Sequence, residues 1–301
     1  MSRDQRNAAL PWLAVVAISV AAFGLALLGA WWADYPGAKA ERWHLLNVLA
    51  IEYQLEQAAG PSDIAPILIN NERKFPPLLY LAAVLARRIS PIDDDRLSCL
   101  CAMLLFSLAM HCGFFLLLRQ RLSAWLAVLG TLMLAGNHVL LSHLQVFNMA
   151  YPSAATAVLA LGLLARLDVF LRMRDTLIFG AVCALGALLY YTVPIYVAPA
   201  VLFVLIARLR RTRTDRGRIA AQFGIFLLIG LALAGPYYFS ESFLSWGDQR
   251  LERFQEYEGP VGAQMSSAGA MFFYWLGRYI LQIVGALWIT PLALLLLIIG
   301  R

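Results

Sequence analysis

Charge is what this sequence has least of. Asp, Glu, Lys and Arg make up 14% of its 301 residues, against roughly 25% in soluble domains, too few to coat a water-facing surface. Lysine is nearly missing: Lys39 and Lys74 stand alone beside 22 arginines. The four cysteines, Cys99, Cys101, Cys112 and Cys183, all fall in apolar stretches. That placement speaks against a disulfide framework or a zinc knuckle and for buried free thiols. Gly-x-x-x-x-Gly-Lys-Ser/Thr, Gly-x-Gly-x-x-Gly and His-Glu-x-x-His do not occur, so nucleotide-driven chemistry and zinc proteolysis have no motif behind them. The net charge of +6 forms no patch of the size nucleic acid needs.

What is present is apolar. Hydrophobic residues are 61% of the chain and the mean hydropathy is +0.70. Long apolar runs recur, of the length that crosses a ~30 Å hydrocarbon core. Each has to be helical, because a segment in lipid must satisfy its own backbone hydrogen bonds. The pattern predicts an all-α integral membrane protein with about eight transmembrane helices in a single domain over 1–301. The expected spans are 10–32, 97–118, 123–141, 151–171, 176–192, 194–208, 219–239 and 271–300. The first run is longer than a signal-peptide core, so it reads as an uncleaved span. A tight turn is expected at Tyr191-Thr192-Val193-Pro194.

Arginine sets the orientation. Arg119 and Arg121, Arg172 and Arg174, and the six arginines of 208–218 all fall on one side with Arg3 and Arg6. The positive-inside rule makes that side, and the N-terminus, cytoplasmic. The loop at 240–270, with five acidic and two basic residues, then faces outward. A first external loop spans 33–96. Within it, 76–89 is about 21 Å long as a helix, too short to cross, and reads as re-entrant or interfacial, with Pro76-Pro77 as a rigid start. Residues 41–57 place Trp43, Leu46, Leu49, Ala50 and Tyr53 at helical spacing, with Glu41, Arg42, Glu52 and Glu56 elsewhere, as in a helix lying on the membrane surface.

Several residues have the chemistry for a site. Asp34 follows the first span at the outer face, where a carboxylate is either a general base, an anchor for a cation or sugar hydroxyl, or a solvated loop acid. Arg73 and Lys74, just before Phe75-Pro76-Pro77-Leu78-Leu79-Tyr80, suit a phosphate or lipid headgroups. Asp93-Asp94-Asp95-Arg96 supplies three acids for a divalent metal, although carboxylates before a helix also cap its free N–H groups. Arg278 lies inside the last apolar segment, where a cation calls for a partner or snorkels to the surface. His111 and His138 differ in depth by roughly 13 Å, more than one haem iron readily bridges. His44 and His143 fall in loops on this reading.

The order of these features resembles the membrane-embedded GT-C glycosyltransferases, in the branch of the protein O-mannosyltransferases and lipid A aminoarabinose transferases. The resemblance rests on the acid after span one, the amphipathic external helix, Phe75-Pro76-Pro77-Leu78-Leu79-Tyr80-Leu81, Asp95-Arg96-Leu97 opening span two, the Arg turn at 119–121 and the loop at 142–151. It covers about 30–200. It implies sugar transfer from a polyprenyl-phosphate carrier to an acceptor at the external, periplasmic face, with inversion. By the same resemblance Asp34 is the base, Arg73, Lys74 and Arg278 stabilise the phosphate leaving group, and Tyr80 and Asn148 contact substrate.

The chain departs from the family pattern in three places, one of them length: members are usually considerably longer, and this sequence stops at Arg301 as the expected eighth span ends. Tyr35 stands where an acid usually follows Asp34, and 142–151 has Asn148 where an acid is usual; asparagine orients a hydroxyl but cannot act as a base. A non-catalytic membrane scaffold or accessory subunit that keeps the fold is therefore the second reading. The expected partners are a lipid-linked sugar donor, membrane lipids and protein subunits of a membrane complex, without nucleic acid. The Ala- and Arg-rich, Lys-poor usage suggests a bacterial inner membrane. No clear ligand set supports a metal cofactor.

Overall fold

A computed structural model describes residues 3–32, 39–69, 76–211 and 215–240, all within one compact unit, Met1–Phe243. Asp34, Arg73, Lys74, Arg278, most of the 240–270 loop and the expected span at 271–300 lie outside the described residues. Everything regular in the described part is helical: α1 (Arg3–Trp32), α2 (Lys39–Gln57), α3 (Pro61–Ile69), α4 (Leu78–Ile89), α5 (Asp95–Leu100), α6 (Met103–Leu118), α7 (Ala124–Ala135), α8 (His138–Leu144), α9 (Ala150–Arg166), α10 (Met173–Leu189), α11 (Thr192–Arg211) and α12 (Arg216–Tyr238).

Four described stretches are long and apolar enough to cross a membrane: Ala9–Trp32, Asp95–Leu118, Thr192–Arg211 and Arg216–Tyr238. The second runs through α5 and α6 with a turn at Cys101–Ala102. The expected third span, 123–141, is not one straight helix but α7 and α8 at 65° to each other. Counted as one broken span, they bring the total to five. Local chemistry explains the break: Gly136 closes α7, and the Asn137 side chain accepts from the N–H groups of Val139 and Leu140, starting a new helix. The expected fourth and fifth spans correspond to α9 and α10, of 17 residues each, shorter than the ~20 that a full crossing takes. The turn between α10 and α11 falls at Tyr190–Tyr191, so Pro194 sits inside the first turn of α11, where proline is tolerated.

Packing between α6 and α9 is close enough to bring backbone against backbone. A Cβ on Gly113 would meet the Leu159 backbone at 2.5 Å, and one on Gly162 would collide with the Gly113 carbonyl. Small residues at a membrane helix crossing permit this approach. At one end of α9, Asp168 pairs with Arg172 (3.1 Å) and Arg208 (3.6 Å), so two of the arginine stretches used for orientation share one end of the bundle. Phe170, in the same turn, has a φ of 68°, a conformation that costs a bulky residue of order 1–3 kcal/mol. It is held there by full burial, an N–H bond to Thr176 Oγ1 and edge-on contacts with Phe223 and Phe226.

The opposite end of the bundle carries α2, α3 and α4. Helix α4 has 12 residues and is not among the stretches able to cross. Its Leu79, Tyr80, Ala83 and Val84 are buried. Arg87 pairs with Glu52 and Asp95, and Arg88 with Glu52 and Glu56, so α4 runs parallel to α2. The stripe of Trp43, Leu46, Leu49 and Tyr53 is exposed, as a helix presenting that face to a membrane surface requires. The cysteines are free.

Candidate active site

The strongest polar cluster lies where α1, α2, α5 and the turn after α8 meet. Asp94 caps α5 by accepting from Leu97 N–H at 2.7 Å, which fixes the helix start and with it Arg96. The Arg96 Nε donates to Glu41 Oε1 at 3.1 Å, and its other nitrogens donate to the carbonyls of Ala30 (3.1 Å) and Gln145 (3.4 Å). Glu41 Oε1 also accepts from the Phe147 N–H at 3.0 Å. Glu41 is 1% exposed, and its buried Oε2 has no hydrogen-bond partner among the described residues. One guanidinium and one carboxylate thus bind the end of α1, the first turn of α2, the start of α5 and the 145–147 turn.

This cluster brackets two of the expected site residues. Asp34 lies in the chain between Ala30 and Glu41. Asn148 follows Phe147 directly. Its Oδ1 accepts from Ala150 N–H at 2.9 Å, so its carbonyl shapes the entry to α9. Of the acids in 93–95, Asp94 caps and Asp95 pairs with Arg87 at 2.7 Å. Among the described residues no group of three or more His, Cys, Asp or Glu is placed to hold a metal ion.

A second polar group joins α2 to α4. Tyr80, fully buried, takes a hydrogen bond from Asn47 Nδ2 at 3.1 Å and pairs with His44 Nδ1 at 2.9 Å. His44 is therefore not a loop residue: it sits on α2 and is buried. His143 likewise lies in the last turn of α8. Burial pushes the His44 pKa down to about 4. The unfolded imidazole titrates near 6.5, so as pH falls from 6.5 toward 4 the unfolded chain takes up the proton first and stability is lost across that window. His44→Gln is expected to melt below wild type at pH 7, with the gap closing by about pH 4. Melting curves of detergent-solubilised protein across that range check this; parallel curves would contradict it.

The residues missed in the sequence are Glu41, His44 and Asn47 as a buried set. Their three-residue spacing along α2, continued by Val48 and Ile51, was the available signal. Beside this end, Leu68 and Ile69 of α3, Pro77 and Leu81, and Leu188, Leu233 and Tyr237 of α10 and α12 help line an apolar groove of about 260 Å³. The segment carrying Arg73 and Lys74 joins two of its lining residues, Ile69 and Pro77. A separate apolar groove of about 460 Å³ runs between α10 and α12.

The family model described as dolichyl-phosphate-mannose-protein mannosyltransferase matches residues 74–236, more than half of the chain. The match takes in the Lys74-Phe75-Pro76-Pro77 stretch, Arg96, the 145–149 turn and the helices through α12. No curated protein and no solved structure matches the chain.

Proposed function

The chain belongs to the dolichyl-phosphate-mannose-protein mannosyltransferase family, a GT-C family of membrane glycosyltransferases, and on that premise we propose that it moves a sugar from a polyprenyl-phosphate donor to an acceptor hydroxyl at the external face. The observation that carries this reading is the apolar groove bounded by Ile69 and Pro77, the two residues between which the chain carries Arg73 and Lys74. An isoprenoid tail suits the groove, and the two cations of the connecting segment suit a phosphate. The external assignment follows from the arginine stretches, two of which Asp168 gathers at the far end of α9.

The reaction is a single displacement. The acceptor oxygen attacks the anomeric carbon as the bond to the phosphate oxygen breaks, and configuration inverts. Asp34 takes the acceptor proton. Arg73 and Lys74 stabilise the departing polyprenyl phosphate, and charge stabilisation of this kind in a water-poor site is often the largest catalytic term. The amide of Asn148 orients a hydroxyl.

The test is transfer of labelled sugar from a polyprenyl-phosphate donor by the purified full chain and by Ala65→Trp, which fills the groove from its exposed lip. Transfer by wild type and a donor KM raised roughly tenfold in the variant, with kcat held, is the expected pair, the signature of lost uniform binding. An unchanged KM removes the groove from donor binding. No transfer by wild type makes the chain a scaffold that keeps the family fold.

A further inference from the structure

We propose that Glu41 is a positioning residue for this reaction: paired with Arg96, it holds the end of α1 and the first turn of α2 in register with the Asn148 turn. The inference rests on the function proposed above and deepens it.

The reasons lie in what the cluster joins and in what it leaves unsatisfied. A carboxylate removed from water loses a large solvation free energy, and the loss is offset only when its oxygens find donors. Among the described residues Glu41 Oε1 has two, from Arg96 and Phe147, while the buried Oε2 has none. Replacing such a pair by well-packed apolar groups is often neutral or stabilising, so an acid at this point is poorly explained by stability. What an apolar pair cannot supply is direction. Arg96 offers a planar fork of donors, and the geometry assigns each to a different segment: the end of α1 through Ala30, the first turn of α2 through Glu41, and the turn after α8 through Gln145.

Phe147 N–H closes the arrangement on the same carboxylate oxygen. Two of the four attachment points, Ala30 and Glu41, stand on either side of Asp34 in the chain, at the end of α1 and in the first turn of α2. Another, Phe147, is the neighbour of Asn148. Glu41 itself is enclosed, so it touches neither donor nor acceptor. Its effect reaches the chemistry through the segments it fastens.

The experiment compares wild type, Glu41→Gln and Glu41→Asp as full chains. Three quantities are read: kcat and KM with the polyprenyl-phosphate sugar, melting temperature, and amide hydrogen exchange of peptides covering 145–149. Glutamine keeps the shape and an oxygen for Phe147 N–H but removes the charge that orients Arg96. The expected result is a kcat loss of about 10²-fold, the scale on which small misplacement of reacting groups acts. Donor KM is expected to hold, exchange over 145–149 to quicken, and kcat to recover in part in Glu41→Asp.

Full kcat in Glu41→Gln overturns the proposal. So does a loss of activity that tracks only the loss of folded protein, or a raised KM at constant kcat, which would make Glu41 a binding group. If wild type transfers no sugar, the function proposed above fails, and the exchange measurement decides the fastening by itself. Unchanged protection over 145–149 in Glu41→Gln then refutes it, and quicker exchange upholds it.

Discussion

Asp34→Asn is expected to lower kcat by ~10²- to 10⁴-fold, the contribution typical of a positioned general base, with donor KM nearly unchanged. Asparagine keeps the size of the side chain and can still accept a hydrogen bond from an acceptor hydroxyl, so binding survives. It cannot take the proton as the oxygen attacks, and that loss appears only in the transition state. A mutation of this kind lowers kcat and kcat/KM together. The measurement is initial-rate transfer from a radiolabelled polyprenyl-phosphate sugar at saturating and limiting donor. Equal rates for wild type and Asp34→Asn would remove Asp34 as the base. The nearest acid on the anchored side of its segment, Glu41, would not then replace it, because its carboxylate is enclosed.

How far the sequence disclosed this arrangement depends on the range of the forces involved. Apolar runs set helices locally, so α1, α6, α11 and α12 fall close to the expected spans. The Asp94 cap was legible for the same reason, since its partner, Leu97, is three residues away. The break between α7 and α8 was overlooked because hydropathy continues across it, whereas one asparagine side chain at Asn137 decides the backbone. The α2 face was half legible. Its aromatic stripe is exposed as expected, but Glu41, read as part of the polar side, is among the most buried residues of the described chain. Nothing local marks that burial. Its partner, Arg96, is 55 residues along the chain, and Phe147 is 106. His44 has the same history, its partner Tyr80 lying 36 residues on. The family pattern, read from short motifs, reached further than periodicity, because those motifs record long-range requirements that a single helix does not display.

The largest stability effect is expected from Arg96→Leu, and it should be asymmetric with respect to its partner. Removing the guanidinium leaves the Glu41 carboxylate buried, with the Phe147 N–H as its one remaining donor among the described residues. It also withdraws a donor from the Ala30 and Gln145 carbonyls. Breaking a buried pair from one side costs about 3–5 kcal/mol, a fall in melting temperature of roughly 10 °C for a chain of this size. Glu41→Gln removes the charge from the more buried side and leaves Arg96, whose side chain is 20% exposed, its bonds to both carbonyls, so its cost should be smaller. In the double variant the uncompensated carboxylate is gone, and the loss should fall well short of the sum of the two single losses. Residues joined in one network show such non-additivity, whereas independent sites add. Thermal melts of the four proteins in one detergent form the cycle. Additive losses would mean that Arg96 and Glu41 act separately, and the fastening of the ends of α1 and α2 to the Asn148 turn would have to be sought in other contacts.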